Sequence, residues 1–140
     1  MIREATLDDA GGIILCWQAA FSEKVKPATV LSKLEADDHL VLVEDCPFFG
    51  IVGFCIAYKS KPTKWRVDYV AAHPVDAQRG TGWALMIHTE TRAIDAGVTQ
   101  ITLAVRRKNT RAIRLYERLG YQLTEERPAG FSYEKVLRRG

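Results

Sequence analysis

A chain of 140 residues, 47% hydrophobic and 26% charged, has the composition of a single soluble globular domain that can bury a core without disulfides or metal. Its 20 basic and 17 acidic residues leave a net charge of +3, too mild for charge balance alone to imply nucleic-acid binding. No run approaches the roughly 20 apolar residues of a membrane-spanning helix, so no membrane partner is expected. The start, Met1-Ile2-Arg3-Glu4, leads into structured sequence instead of a signal peptide. Cys16, Cys46 and Cys55 are odd in number, sit in apolar surroundings and show no metal-ligand spacing among themselves or with His39, His73 and His88. They read as buried thiols in a reducing, cytoplasmic setting, and no metal is expected.

In chain order, Ile2 to Ala5 reads as a short strand, and Thr6 followed by Asp9 as a capping box. The box opens a helix over Leu7 to Phe21, with Ile14, Trp17 and Phe21 on its buried face and Ile13 and Ala20 beside it. Gly11-Gly12 in the first turn is either a propensity defect or a point of close approach. Pro27 precedes a second short helix, Ala28 to Ala36. From His39 the period changes to that of strands: His39 to Glu44 and Ile51 to Tyr58 form an antiparallel hairpin, with Phe48 and Phe49 in its connection either capping the core or lining a site. Lys59 to Lys64 reads as a basic loop. Trp65 to Ala72 is the next strand, with Arg66, Asp68 and Val70 on one face and Val67, Tyr69 and Ala71 on the other. A helix follows over about Thr81 to Ala96; Ala84, Ile87, Thr91 and Ile94 form its buried stripe, Glu90, Arg92 and Asp95 belong largely to water, and Gly97 stops it. Gln100 to Val105 is an alternating strand, Asn109 caps a helix that Gly120 closes, and Tyr121 to Leu123 and Phe131 to Leu137 are closing strands. No linker or repeat divides the chain, so residues 1–140 read as one domain.

Two stretches carry chemistry. Val70 to Ala84 runs from a strand through a turn containing Gly80 and Gly82 into a helix start, where unpaired N–H groups attract anions and Arg79 offers a mobile cation. Alone, such a turn is equally an ordinary strand-to-helix connection. A P-loop lacks its Gly-Lys-Ser/Thr, and a dinucleotide fingerprint would need a small residue where Leu85 stands. The second stretch, Asn109 to Tyr121, sets Ala112, Leu115, Tyr116 and Leu119 on one helical stripe. Asn109 and Tyr116, seven residues apart, point the same way. Read alone, it is also a capped amphipathic helix with Tyr116 in the core. Arg111, Arg114 and Arg118 recur on the opposite face, a solvated basic surface by default; with the basic run Arg106-Arg107-Lys108 it could instead steer a phosphate or an acidic partner.

Together the two stretches resemble the GNAT family of N-acetyltransferases. Its phosphate motif reads Arg/Gln-x-x-Gly-x-Gly/Ala, and its later motif, Asn-x-x-Ala-x-x-Leu-Tyr-x-x-Leu-Gly-Phe/Tyr, matches Asn109 to Tyr121 throughout. The first motif fits in two registers, Ala77 with Gly80 and Gly82, or Arg79 with Gly82 and Ala84, and the second keeps every fixed letter. The resemblance implies an α/β (α+β) fold: a mixed, mostly antiparallel sheet of six to seven strands, about four flanking helices and two splayed central strands. It also implies acetyl-CoA as acetyl donor, its pantetheine arm along Val70, Ala71 and Ala72 and its pyrophosphate on Arg79, Gly80, Thr81, Gly82, Trp83 and Ala84. Asn109 would orient the arm and Tyr116 would meet the departing thiolate. For the general base, Asp68, His73 and a water chain all stand open. The acceptor would be an amine on a small molecule or a protein N-terminus, and a homodimer is compatible with the resemblance. Two other classes compete. One is a non-catalytic acyl-CoA-binding regulatory module of the same fold. The other, a nucleic-acid binder using the arginine-rich helix, is disfavoured because those arginines lack interleaved exposed aromatics.

Overall fold

Residues 1–76 and 79–138 are described by a computed structural model. They form strands β1 (Ile2–Glu4), β2 (His39–Cys46), β3 (Gly50–Lys61), β4 (Lys64–Ala72), β5 (Gln100–Arg106), β6 (Gln122–Glu126) and β7 (Gly130–Val136). The helices are α1 (Ala10–Phe21), α2 (Pro27–Glu35), α3 (Thr81–Asp95) and α4 (Thr110–Arg118). The strands make one sheet in the order β1-β2-β3-β4-β5-β7-β6. Its pairs are antiparallel apart from β4 with β5. The mixed, mostly antiparallel fold expected from the sequence is therefore the one observed.

Two apolar clusters flank the sheet. On one face Ile13, Cys16 and Trp17 of α1 and Val30 of α2 pack against Val41, Val43, Phe54, Ile56 and Ala71. On the other, Leu85, Met86 and Ala93 of α3 join Trp65, Val67, Ile101, Leu103 and Val105, with Tyr116, Leu119 and Tyr121 closing the end. The capping box forms, Asp9 accepting from the Thr6 N–H at 2.8 Å. It opens a 3-10 turn over Leu7–Asp9 before α1 begins. The buried stripe of α1 is centred on Ile13, Cys16 and Trp17, rotated from the expected Ile14 and Phe21, which are only half-buried. Gly12 explains that setting: a Cβ there would lie 2.7 Å from Ile51 Cγ1, whereas Gly11 faces open space. The glycine pair thus serves close packing of α1 on β3. Of the three thiols, Cys16 and Cys55 are buried, but Cys46 at the end of β2 is only half-buried. The basic loop expected over Lys59 to Lys64 contracts to a two-residue turn, because β3 runs to Lys61 and β4 starts at Lys64.

The largest departure from sequence expectation lies in α3. Ile87 and Thr91 are exposed, while Leu85, Met86, Thr89, Glu90 and Ala93 are buried. Glu90 is 7% exposed because two distant groups satisfy it: the Tyr121 hydroxyl donates to Oε2 at 2.9 Å and Lys135 Nζ reaches Oε1 at 2.8 Å. Burial and the nearby Glu90 charge both push the Tyr121 pKa up, so that hydroxyl keeps the proton it donates. Glu90→Ala is expected to cost about 2 kcal/mol, because it strands two donors inside the fold. Thermal or urea unfolding measures this, with Glu90→Gln, which still accepts from Tyr121, losing less.

Strand β4 decides where the site lies. Its register against β3 shifts between Ile56↔Tyr69 and Ala57↔Val67, leaving Asp68 as an extra residue. Such a bulge reverses the alternation of side chains beyond it. Val67 therefore packs with the α3 cluster, whereas Tyr69 and Ala71 pack with the α1 cluster, correcting the expectation that the three share a face. Arg66, expected to share a face with Val70, is exposed, while Val70 packs against the α3 cluster. The parallel ladder to β5 covers Lys64↔Gln100 to Val67↔Leu103 and ends at the bulge. Beyond it β4 continues alongside β3, β5 alongside β7, and the two central strands part.

Candidate active site

The parting strands open a cleft of about 640 Å³. The far end of β4, Val70 to Ala72, forms one wall, and Gly80, Gly82 and Trp83 at the start of α3 form its end. Asn109, Ala112, Leu115 and Tyr116 bring α4 to the opposite wall. Ala20 and Phe21 at the end of α1 also line it, so the cleft reaches both faces of the sheet. Past Val67 the β5 side of β4 has no strand partner, so backbone groups of its last residues face the cleft and can pair with an extended amide chain.

At the start of α3, Gly80 takes a left-handed φ of 78°, and it offers no side chain to cap the helix. The first intrahelical bond there runs from the Ala84 N–H to the Gly80 carbonyl at 3.0 Å. The N–H groups of Thr81, Gly82 and Trp83 therefore precede the ladder, and the first turn contains no acidic residue. A 15-residue helix adds its dipole to those donors, which suits a phosphate. Gly82 keeps this end open: a Cβ would lie 3.3 Å from Leu115 and 3.8 Å from Val70.

Tyr116 is 6% exposed, and its ring meets that of Tyr121 edge-on, with centroids 5.9 Å apart. Among the described residues its hydroxyl has no hydrogen-bond partner. Burial, assisted by the nearby Cys55 thiol, pushes its pKa well above the ordinary tyrosine value. It is thus a proton donor that stays protonated, facing the cleft. Asn109 caps α4 by accepting from the Ala112 N–H at 3.2 Å, which leaves its amide NH₂ to the cleft.

A sequence model of the acetyltransferase (GNAT) family matches residues 13–121. The chain belongs to that family. The GNAT fold recurs in solved structures over the whole chain. Ard1 from Thermoplasma volcanium is 22% identical, with 99% of this chain and 98% of that one aligned at a TM-score of 0.87. The ribosomal-protein-S18-alanine N-acetyltransferase from Escherichia coli is 19% identical, with 100% and 95% covered at 0.85. PaiA N-acetyltransferase from Thermoplasma acidophilum, solved in complex with coenzyme A, is 16% identical, with 97% and 98% covered at 0.82. No curated protein sequence matches the chain significantly.

Of the GNAT site residues anticipated from sequence, Val70, Ala71, Ala72, Gly80, Gly82, Trp83, Asn109 and Tyr116 all line the cleft. Four others do not. Thr81 is buried, its hydroxyl donated to Asp76 Oδ2, so it fastens the preceding turn to the helix. Ala84 is half-buried one turn into α3. The Arg79 side chain is 80% exposed and lies 3.8 Å from Asp76, outside the cleft lining. Asp68 sits at the bulge, its two oxygens held by Arg66. Ala77, the alternative start of the phosphate motif, lies outside the described residues. The other base candidate, His73, accepts at Nδ1 from the Val75 N–H and meets Phe49 edge-on at 5.2 Å. Phe48 and Phe49 are exposed and line neither the cleft nor the core. His88 bonds the Ala84 carbonyl one turn back at 2.9 Å, as an exposed helical histidine does.

Sequence reasoning missed Ala20 and Phe21, which the end of α1 carries to the cleft. Of the two readings of Arg111, Arg114 and Arg118, a solvated face by default or a face that steers a phosphate or acidic partner, their place in the cleft lining departs from the default. Their exposed, periodic spacing was a usable signal. Ala20 and Phe21 gave none, since apolar residues at a helix end also simply finish a core. Among the described residues no three His, Cys, Asp or Glu side chains gather to hold a metal ion. No described helix is long and apolar enough to cross a membrane.

Proposed function

We propose that the chain is an N-acetyltransferase that moves the acetyl group of acetyl-CoA to a primary amine by direct attack within a ternary complex. The observation that carries this is the cleft itself. It runs through the sheet beside an unpaired strand edge, from a glycine-fronted helix start to a buried phenol that stays protonated. In this reading the pyrophosphate rests on the N–H groups of Thr81, Gly82 and Trp83, with Arg79 as a mobile counter-charge. The pantetheine amides pair with the free edge of Val70 to Ala72, and Asn109 holds the arm from the other side.

The amine nitrogen forms a bond to the acetyl carbonyl carbon, the carbon–sulfur bond breaks, and Tyr116 gives its proton to the departing thiolate. The proton lost by the nitrogen goes to a base, for which Asp68 is the proposed group. It stands where β4 leaves β5, and Arg66 fixes its orientation while leaving lone pairs unused. Holding both reactants in line is worth roughly 7–11 kcal/mol of the barrier, so positioning supplies much of the rate.

Acetyl-CoA at a hundred times its Kd is expected to stabilise the fold by about 2.7 kcal/mol, seen as a rise in melting temperature. Thiol release should then require an amine, with no amine-independent burst. Absence of any thermal shift at millimolar acetyl-CoA defeats this reading. A shift without thiol release across a panel of amines and N-terminal peptides favours the non-catalytic acyl-CoA-binding alternative.

A further inference from the structure

The splay is open to both faces of the sheet, with Ala20 and Phe21 lining it on one side and the starts of α3 and α4 on the other. The helices that bracket the phosphate end, α3 and α4, pack on the face carrying Leu103, Val105 and Tyr133. On the other face α1 and α2 pack on β2, β3 and β4, and β5 and β7 there present Ala104, Arg106 and Ser132, which alternate with the buried Val105 and Tyr133. Ala104, Arg106 and Ser132 line a second cavity, of about 200 Å³, with Arg127, Gly130 and the edge of Phe131. It lies on β5 past the last pair with β4, on the lip opposite the donor's strand edge. The body of an amine whose nitrogen enters the splay from this side rests there.

Three of the arginines near this lip each hold a carboxylate. Asp68 holds Arg66, Glu125 holds Arg127 and Glu126 holds Arg107. Arg106 is exposed and has no carboxylate partner among the described residues. Neither cavity has an Asp or Glu among its described lining residues. Glu134, further along β7, is hydrogen-bonded by Gln100 at 2.7 Å. Across the face, Glu23 in the α1–α2 connection is held by the Trp17 indole and flanked by Lys24 and Lys26. Arg111, Arg114 and Arg118 line the cleft together with the start of α3, whereas Arg106 lines the second cavity.

We infer that the preferred acceptor is an amine with an acidic group close by, such as a peptide N-terminus followed by Asp or Glu, and that Arg106 receives that group. This rests on the acetyl-transfer reading. A polycationic acceptor meets surplus positive charge and no carboxylate in either cavity, so it is disfavoured.

The test uses matched peptides, N-terminal alanine followed by two glutamates or by two lysines, with spermidine as the polycation. Thiol release from acetyl-CoA gives kcat/KM, and fluorescence anisotropy of the C-terminally labelled peptides gives affinity for the protein saturated with CoA. The acidic peptide is expected to exceed the basic one by roughly tenfold or more at low salt, with the gap narrowing as salt rises. Arg106→Glu inverts the order, and Arg106→Lys keeps it. Equal or faster turnover of the basic peptide or spermidine overturns the inference, as does an order unchanged in Arg106→Glu. Tighter binding of the acidic peptide without thiol release supports the charge preference and defeats acetyl transfer. Equal binding of the two peptides defeats the preference whatever the turnover.

Discussion

Tyr116→Phe is expected to lower kcat for acetyl transfer roughly a hundredfold, the lower end of what a positioned proton donor contributes, while affinity for acetyl-CoA changes little. The substitution removes one oxygen from a buried ring whose packing against Tyr121 remains. Among the described residues no partner of that hydroxyl is orphaned, so the fold should keep its stability. The loss should appear in kcat with an amine saturating, because the hydroxyl acts when charge develops on sulfur. The raised pKa sets a sign for the pH dependence. An ordinary tyrosine ionises near about pH 10, whereas Tyr116 keeps its proton above that, so activity should not fall through this residue as pH rises to 10. Asp68→Asn should lower kcat/KM while leaving affinity for acetyl-CoA nearly unchanged if Asp68 is the base. Unchanged kcat in Tyr116→Phe would remove the proton-donor role and leave the phenol as a core residue.

Gly82→Leu is expected to abolish the acetyl-CoA-induced thermal shift and to raise KM for acetyl-CoA by well over an order of magnitude. A Cβ at this position already stands 3.3 Å from Leu115 Cδ2 and 3.8 Å from Val70 Cγ1, between the β4 wall and α4. The remaining atoms of a leucine can extend only into the cleft, across the N–H groups at the start of α3. The unliganded protein should lose little stability, since glycine inside a helix is itself unfavourable by roughly 0.5–1 kcal/mol. Ligand affinity and intrinsic stability therefore move apart. Differential scanning fluorimetry with and without acetyl-CoA separates them, and a full thermal shift in Gly82→Leu would mean that the phosphates lie elsewhere.

The α3 and α4 walls of the cleft were readable from sequence because local rules dictate them. Asn109 caps the helix it precedes, Gly80 takes a positive φ, Gly82 sits where a side chain would crowd Leu115, and Tyr116 follows Asn109 by two turns whatever surrounds it. What escaped depends on partners far along the chain. Nothing near Glu90 announces that Tyr121 and Lys135, 31 and 45 residues away, will satisfy it in the core. Without them the stripe through Ala84 and Ile87 looked equally good, and the charge of Glu90 appeared to settle the choice wrongly. The bulge at Asp68 is hidden for a similar reason, since Trp65 to Ala72 alternates acceptably and only pairing with β3 reveals the extra residue. Arg106 looked like part of a basic run. It became distinctive once Arg107, Arg127 and Arg66 were each seen to hold a carboxylate.

The bulge also sets how β4 is shared between the two cores. Trp65 and Val67 before it and Val70 after it belong to the core under α3, whereas Tyr69 and Ala71 belong to the core under α1. On the open face of β5 and β7, which would meet an acceptor, exposed Ala104 and Arg106 take no part in either apolar cluster. Substitutions at these exposed positions can therefore change what the face meets while leaving the packing around the start of α3 as it is.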